Sequence, residues 1–258
     1  MSELIIIIMA GGLGKRMNST LPKVLHTIND EPMLVKIVKE AQTLSPTKIY
    51  IVVGHYHQII KNTIHKHIPD AKNDNSNIIF VYQEHALGTG HAVMCCRPFL
   101  INYPQNTSVL ILSGDVPLLR AETMQQMTQN LNQVKMMTTT LDDPTGYGRI
   151  ILHTETNDFQ EIKEEKDCTE EQRLIGQVNC GIYAFECRTL CKYLPKITKN
   201  NAQNEYYFTD LIAIVRHYEN ISIEMLEISK NTQFEIMGVN TPKQLEELAD
   251  LQLLIETK

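Results

Sequence analysis

The stretch IIIIMAGGLGKRM, residues 5–17, decides the fold class, because a buried strand runs directly into a glycine-rich loop that ends in two cations. Leu4–Met9 is continuously apolar, as is typical of a central parallel strand that is covered on both faces. Gly11, Gly12 and Gly14 follow, and glycines let backbone N–H groups approach oxygen atoms closely. The pattern predicts a phosphate-binding loop at the carboxyl end of this strand.

This loop fits neither of the two common phosphate-binding templates. A dinucleotide fingerprint needs a third glycine at position 17, where the bulky Met17 would block close packing of helix on strand. A P-loop needs glycine in place of Met9 and a hydroxyl residue in place of Arg16. A tight turn with solvated cations is the alternative. Phosphate binding is favoured, since Arg16 offers a planar fork of donors and Lys23 a flexible point charge.

Strands and helices alternate through the first half of the chain. Further strands are predicted at Lys48–Val53, Ile78–Tyr82 and Ser108–Leu112, and helices at Met33–Leu44, Thr89–Arg97 (closed by Pro98) and Ala121–Leu131. This alternation predicts a Rossmann-like α/β fold with a doubly wound, mostly parallel sheet. In such sheets ligands bind beyond the carboxyl ends of the strands, so the loops after Met9 and Leu112 should face one crevice.

After residue 134 the pattern changes to short strands separated by turns. These strands are predicted at Lys135–Leu141, Arg149–His153, Asp158–Ile162 and Gln177–Phe185. We interpret residues 135–186 as a smaller β-rich lobe between a first α/β part, residues 1–134, and a returning α/β part, residues 187–258. The returning part reads as helix Thr209–Tyr218, strand Ile221–Ile228 and a final helix with Thr241 as its cap. All three parts would form a single domain, 1–258.

Composition restricts the partners and the compartment. The net charge of −6 argues against nucleic acid, because a protein that neutralises a nucleic-acid backbone is usually basic. None of the six cysteines forms a C-x-x-C pair, which favours reduced thiols. The apolar run Leu4–Ala10 is too short to cross a bilayer. We therefore expect a cytoplasmic protein with no membrane partner.

Several polar residues follow predicted strands. Asp115, in SGDVPL, is a natural magnesium ligand in a crevice that also holds phosphate-binding cations. Gln83 can donate and accept hydrogen bonds at once, which suits the edge of a base. Glu164 and Asn179 could bind sugar hydroxyls. Each of these, and Asn240 in GVNTP, is also compatible with ordinary turn, cap or surface chemistry.

The order of the motifs resembles that of the N-acetylglucosamine-1-phosphate uridyltransferases, which form the N-terminal half of a bifunctional bacterial enzyme. The resemblance runs from about Leu4 to the final helix, and its most distinctive motifs are DDPTGYGRI, residues 142–150, and NAQNEYYFTD, residues 201–210. It implies transfer of UMP from UTP to N-acetylglucosamine 1-phosphate, with Mg²⁺ as cofactor.

The resemblance also implies a role for individual residues. The implied nucleotide contacts are Met9, Ala10, Gly11, Gly12, Gly14, Lys23, Gln83, Gly88 and Thr89. Arg16 and Lys23 would hold the triphosphate, and with Asp115 they would be catalytic. Asp115 and Asn240 would bind magnesium. Gly148, Glu164 and Asn179 would line the amino-sugar pocket, and the full implied set of substrate-binding residues is Ser113, Gly114, Gly148, Glu164, Asn179 and Asn240.

The chain departs from the family in three ways. Some members have tyrosine in place of Ser113, and many have threonine in place of Cys180. The bifunctional enzymes continue into a β-helix of hexapeptide repeats that acetylates glucosamine 1-phosphate and builds a trimer, and no such repeats occur here. We expect no acetyltransferase activity and leave the oligomeric state open.

Two other functions stay open at the level of sequence. One is nucleotidyl transfer to another sugar 1-phosphate, such as glucose 1-phosphate. The other is a non-catalytic nucleotide-sugar sensor. A degenerate binder would be free to lose Asp115 and Asn240, and both are present together with Arg16 and Lys23.

Overall fold

The computed structural model describes residues 3–12 and 14–256. Within them the strands are β1 (Leu4–Met9), β2 (Thr27–Ile28), β3 (Glu31–Pro32), β4 (Lys48–Val53), β5 (Ile78–Tyr82), β6 (Ser108–Ser113), β7 (Val134–Thr140), β8 (Gly148–Leu152), β9 (Phe159–Lys163), β10 (Gln177–Glu186) and β11 (Glu224–Glu227). The central sheet follows the order β11-β7-β10-β6-β1-β4-β5, with β8 and β9 extending from β10. Strands β2 and β3 form a separate hairpin.

Helices cover the sheet. They are α1 (Met33–Thr43), α2 (His57–His67), α3 (Thr89–Met94), α4 (Arg97–Leu100), α5 (Ala121–Thr128), α6 (Glu170–Arg173), α7 (Cys187–Tyr193), α8 (Asp210–Glu219) and α9 (Pro242–Glu256). The predicted cap of α9 is confirmed, because the backbone N–H of Gln244 donates to Thr241 Oγ1 and the N–H of Thr241 donates to Gln244 Oε1. Across the described ranges, no helix is both long and apolar enough to cross a bilayer.

Strand β1 lies at the centre of the molecule, as its sequence predicts. It pairs in parallel with β4 on one side and β6 on the other, and Ile5, Ile6, Ile7 and Ile8 are fully buried. Ile6 and Ile8 join one core cluster, whereas Ile5 and Ile7 join another. Because alternate side chains of a strand point to opposite faces, the four isoleucines supply both cores. The predicted α/β class is confirmed.

The second half of the chain returns to the same sheet. Strand β10 runs antiparallel to both β6 and β7, so β7 and β10 belong to the central sheet, and β8 with β9 lies beside them. The division at residues 134 and 186 stays a prediction. One local expectation was wrong, and one helix was missed. Pro98 does not close α3, which already ends at Met94, but lies in the first turn of α4. Helix α7 was not predicted.

Candidate active site

A cavity of about 640 Å³ opens at the carboxyl ends of β1, β5 and β6. The predicted residues that line it are Met9, Gly11, Gly12, Gly14, Arg16, Lys23, Gln83, Gly88, Thr89, Ser113 and Asp115. Met9 and Ser113 are register partners in β1 and β6, and the backbone N–H of Gly114 donates to the Met9 carbonyl at 2.9 Å. The prediction that these two loops face one crevice is therefore confirmed.

The glycine loop brings its cations to this cavity through close backbone contacts. Gly14 has φ of +60°, and a Cβ placed on it would lie 2.6 Å from the Cβ of Lys23. A side chain at position 14 would push Lys23 away. Around Gly12, which also lines the cavity, the same test finds open space, so a side chain there would meet no neighbouring atom. Ala10 is buried, and its N–H donates to the carbonyl of Val52, so it anchors the start of the loop to strand β4.

Asp115 is the centre of a polar cluster. Its Oδ2 forms an ion pair with the ammonium of Lys23, and its Oδ1 accepts a hydrogen bond from Ser113 Oγ at 2.6 Å. The same ammonium donates to Asn240 Oδ1 at 3.0 Å. The N–H of Val239 donates to the Asp115 carbonyl, which fastens the GVNTP segment beside SGDVPL. The structure thus brings together the two predicted metal ligands.

The oxygen atoms of Asp115 and Asn240 suit a magnesium ion. Both face a single cation, the Lys23 ammonium, so the pair already accommodates positive charge. One carboxylate and one amide oxygen form a partial donor set that Mg²⁺ completes with water and substrate phosphate oxygens. No group of three His, Cys, Asp or Glu side chains in the described part of the chain could hold a metal by itself. A metal at this place would therefore take its remaining ligands from water or from substrate oxygens.

Gln83 presents its carbonyl oxygen toward the glycine loop. The side chain is 6% exposed, and its Nε2 donates to the Gly88 carbonyl at 3.2 Å and to His91 Nδ1 at 3.1 Å. Burial lowers the pKa of His91, which favours the neutral ring that can accept this bond. Oε1 lies 3.1 Å from a Cβ placed on Gly11. The amide is thereby oriented with its acceptor toward the cavity.

The segment LGTGHA, residues 87–92, is attached to the NAQNEYYFTD segment. A Cβ on Gly88, whose φ is +108°, would lie 2.5 Å from the Tyr206 carbonyl oxygen, and the N–H of Gly90 donates to that oxygen at 2.7 Å. Thr89 Oγ1 accepts from the N–H of Phe208 at 3.0 Å. These two glycines thus allow a close approach of the protein's own backbone.

The predicted sugar-binding residues Gly148, Glu164 and Asn179 lie close to one another but do not line this cavity. Gly148 and Asn179 are register partners in β8 and β10, and a Cβ on Gly148 would lie 3.7 Å from the Glu164 carboxyl. Asn179 is occupied within β10, where its Nδ2 donates to the Tyr183 hydroxyl and its Oδ1 accepts from the N–H of Gly181. Glu164 lines a neighbouring cavity of about 420 Å³.

Glu164 lies among other carboxyl groups, which include Asp210. Its Oε1 accepts a hydrogen bond from Thr209 Oγ1 at 2.9 Å. Burial raises the pKa of Glu164 above its usual range, and the Thr209 bond opposes that rise. Burial, followed by the negative charge of Glu164, raises the pKa of Asp210 to about 6. The cluster therefore takes up a proton more readily than isolated carboxylates would.

Sequence reasoning missed part of the cavity wall. The residues that it did not assign are Val24, Ala86, Ala92, Gln203 and Glu205. Gln203 and Glu205 belong to NAQNEYYFTD, a segment that stands out in the sequence but whose position depends on its attachment to LGTGHA. Gln203 lines this cavity, and Tyr207 lines the neighbouring one of about 420 Å³. Gln203 Nε2 donates to the Tyr207 hydroxyl at 2.8 Å, so this segment lies between the two cavities.

Comparison with known proteins identifies the family and the fold. Residues 6–179 match the family described as the MobA-like NTP transferase domain. A solved structure of a putative glucose-1-phosphate thymidylyltransferase from Bacillus anthracis superposes with a TM-score of 0.70 at 18% identity, covering 96% of this chain and 94% of that one. At this identity the superposition supports the fold alone.

Sequence relatives are more specific. A probable UDP-N-acetylglucosamine pyrophosphorylase of Acanthamoeba polyphaga mimivirus is 43% identical over 248 residues, covering 95% of this chain and 94% of the relative. The bifunctional protein GlmU of Nitrosospira multiformis is 39% identical and that of Nitrosococcus oceani 40% identical. These matches cover 100% and 93% of this chain but 52% and 50% of the relatives, so the chain spans about half the length of the bacterial proteins. The chain belongs to the MobA-like NTP transferase family and, within it, to the UDP-N-acetylglucosamine pyrophosphorylases.

Proposed function

We propose that this protein is a nucleotidyltransferase that transfers UMP from UTP to N-acetylglucosamine 1-phosphate and releases pyrophosphate. The observation that carries the proposal is the cluster of Lys23, Asp115 and Asn240 at the edge of a cavity bounded by the glycine loop. The name and 43% identity of the mimivirus relative support the same substrates.

Gln83 supports a uracil base. With its Nε2 bonded to Gly88 and His91, the amide keeps its carbonyl oxygen for the ligand. Uracil carries an N–H donor at N3, whereas cytosine has an acceptor there. An acceptor at this position therefore favours UTP over CTP, because an unmatched pair of acceptors would leave a buried polar group unsatisfied.

The proposed reaction is an in-line attack of the sugar phosphate oxygen on the α-phosphorus of UTP. The new P–O bond forms as the bond to the β-phosphate breaks, and its electron pair leaves with pyrophosphate. A phosphate monoester has a second pKa of about 6, so the nucleophile is already ionised near neutral pH and needs no general base. The main obstacle is the repulsion between two polyanions.

The chain's own groups oppose that repulsion. Arg16 and Lys23 line the cavity and supply positive charge for the triphosphate, and the backbone N–H groups of Gly11 and Gly12 would donate to it. Asp115 and Asn240 would hold Mg²⁺, which when bound would offset phosphate charge and orient the two substrates. On the acceptor side, Gly148, Glu164 and Asn179 would contact the sugar, with Thr209 holding the Glu164 carboxyl.

Pyrophosphate release from UTP and a panel of sugar 1-phosphates tests the proposal. We expect the fastest release with N-acetylglucosamine 1-phosphate, and a loss of at least about 100-fold in Asp115→Ala. Asp70→Ala, at an exposed aspartate, is the matched control and should retain full activity. Faster turnover of glucose 1-phosphate would overturn the sugar assignment. Release from no pair by folded, UTP-binding protein would favour a sensor.

The surroundings of the enzyme are also part of the proposal. The six free thiols are consistent with a reducing compartment, and we propose the cytoplasm. The net charge of −6 argues against a nucleic-acid partner, whereas small anionic substrates need only local cations such as Arg16 and Lys23. We also propose that the chain divides into a nucleotide-binding part (residues 1–134), a sugar lobe (residues 135–186) and a returning α/β part (residues 187–258).

A further inference from the structure

We propose that the Lys23 ammonium and magnesium compete for one place between Asp115 and Asn240, so that the ion binds well only when a nucleotide draws Lys23 away. The inference rests on the proposed function, because the nucleotide's phosphates are the groups that would receive the displaced ammonium. It gives Lys23 a second role, as the counter-cation that occupies the metal position until substrate arrives.

The contacts of the ammonium define this place. Lys23 Nζ contacts Asp115 Oδ2 and Asn240 Oδ1, which are the two oxygen atoms that the metal would need. The other carboxylate oxygen of Asp115 is held by Ser113 Oγ. A metal ion that binds both Asp115 Oδ2 and Asn240 Oδ1 would have to take the position of the ammonium, because two cations cannot share these contacts.

The structure lets the side chain of Lys23 move while its backbone stays in place. Lys23 begins a short 3-10 helix, residues Lys23–Leu25, whose Val24 and Leu25 are each only 3% exposed. Gly14 packs against the Lys23 Cβ, so the base of the side chain is confined. Beyond Cβ, a flexible stem reaches a cavity that also contains Arg16. The ammonium can therefore turn toward a phosphate without any rearrangement of the core.

Competition makes the affinity for metal depend on Lys23. When a binding site is competent for only a fraction of the time, the apparent dissociation constant is the intrinsic one divided by that fraction. Both side chains of the ion pair are partly accessible to solvent, at 14% and 16%, so the pair is moderate in strength. We expect its removal to tighten metal binding by about five- to tenfold.

A Mn²⁺ titration of the protein without nucleotide tests this expectation. The concentration of free Mn²⁺ is measured by its electron paramagnetic resonance signal. Lys23→Met keeps most of the stem and removes the ammonium, whereas Lys23→Arg keeps the charge. Arg16→Met is the matched control, because it removes a positive charge from the same cavity without removing a contact to Asp115. Asp115→Asn, alone and combined with Lys23→Met, shows whether the ion measured is bound at this place.

The expected result is tighter Mn²⁺ binding by about five- to tenfold in Lys23→Met, less than about twofold in Arg16→Met, and no gain in Lys23→Arg. The gain should disappear in the double variant. Equal gains in Lys23→Met and Arg16→Met would overturn the proposal, since they would indicate a general effect of charge. A gain that persists without the Asp115 carboxylate would also overturn it.

A second measurement uses the wild-type chain and does not depend on the folding of any variant. Amine acetylation followed by peptide mass spectrometry reports how accessible each lysine is. Mg²⁺ alone, at saturating concentration, should raise acetylation of Lys23 by at least about twofold, because the displaced ammonium enters the cavity. Lys192, ion-paired with Glu219 on another surface, should not change. Unchanged Lys23 labelling would overturn the competition.

The two proposals can fail separately. Competition is refuted if Asp115→Asn abolishes Mn²⁺ binding but Lys23→Met does not strengthen it, and that result leaves the proposed metal site and reaction intact. If pyrophosphate release is absent with every substrate pair and Lys23→Met still tightens Mn²⁺ binding, the competition survives and the proposed reaction fails.

Discussion

Ser113 Oγ donates a hydrogen bond of 2.6 Å to Asp115 Oδ1, so a hydroxyl two residues away sets the orientation of the central carboxylate. The other oxygen of Asp115 pairs with Lys23. Asp115 is therefore held from both sides. Ser113 therefore orients Asp115, although some N-acetylglucosamine-1-phosphate uridyltransferases carry tyrosine at this position.

Removing this hydroxyl should weaken catalysis without unfolding the protein. We expect Ser113→Ala to lower kcat about tenfold and to raise the Mg²⁺ concentration needed for half-maximal rate, because a charge-assisted hydrogen bond is worth roughly 1.5–3 kcal/mol. Ser113→Thr keeps the donor and is the control. Pyrophosphate release with a magnesium titration measures both effects. Equal losses in the two variants would assign the effect to packing.

Gly88 should tolerate no side chain. Gly88→Ala combines a positive φ of +108° with a Cβ 2.5 Å from the Tyr206 carbonyl oxygen, and we expect it to lower the melting temperature by about 5 °C. Gly12→Ala is the matched control in the same cavity, since its Cβ would meet no atom within 4 Å. Thermal unfolding compares them. A Gly88→Ala protein as stable as Gly12→Ala would show that Tyr206 can move away.

Loss of the buried Arg149 should destabilise the fold far more than loss of an exposed, ion-paired lysine. Arg149 is 1% exposed, and its guanidinium pairs with Glu165 at 2.8 Å and donates to the carbonyls of Tyr147 and Arg173. Arg149→Met removes the donor of both carbonyls and leaves Glu165 with the Gly146 N–H and the more distant Arg173, so it should cost about 3 kcal/mol of unfolding free energy.

An exposed pair is the control for that variant. Lys243 and Glu247 pair across one turn of α9 with the lysine side chain 85% exposed, so Lys243→Met should cost less than about 0.5 kcal/mol. Urea unfolding measures both variants. Similar costs would contradict a structural role of Arg149 at the start of β8, beside Gly148.

Compared with an Asp210→Asn variant, the wild-type protein should be relatively more stable at acidic than at neutral pH. The pKa of this carboxyl is raised from 3.8 to about 6, first by burial and then by the charges of Glu164 and Asp167. The native state therefore binds the proton more tightly than the unfolded state. The resulting stabilisation is present below pH 3.8 and is lost as pH rises through about 6.

Asp210→Asn removes this dependence. We expect the variant to gain about 2 °C in melting temperature at pH 7.5 and to gain nothing, or to lose slightly, at pH 4.5. Asp142→Asn, at a side chain that is 98% exposed, should show the same difference from wild type at both pH values. An Asp210→Asn effect that is independent of pH would show that the carboxyl titrates normally.

Local patterns in the sequence were sufficient to predict the elements near the nucleotide loop. Strands β4 and β5 begin and end at the predicted residues, and β1 is as buried as its four isoleucines indicate. The reason is that a parallel strand covered on both faces needs an uninterrupted apolar run, which is visible without any tertiary information. The capping box of α9 is local in the same way, since Thr241 and Gln244 are three residues apart.

Tertiary structure alone decided how the candidate site is assembled. Lys23 contacts Asn240 across 217 residues of chain, and Thr209 contacts Glu164 across 45. Such contacts depend on strand order and register, which periodicity does not encode. The sequence determined which side chains were available for chemistry at the carboxyl ends of the strands. The three-dimensional fold placed the Lys23 ammonium between Asp115 and Asn240, because only packing of distant segments brings their oxygen atoms to one cation.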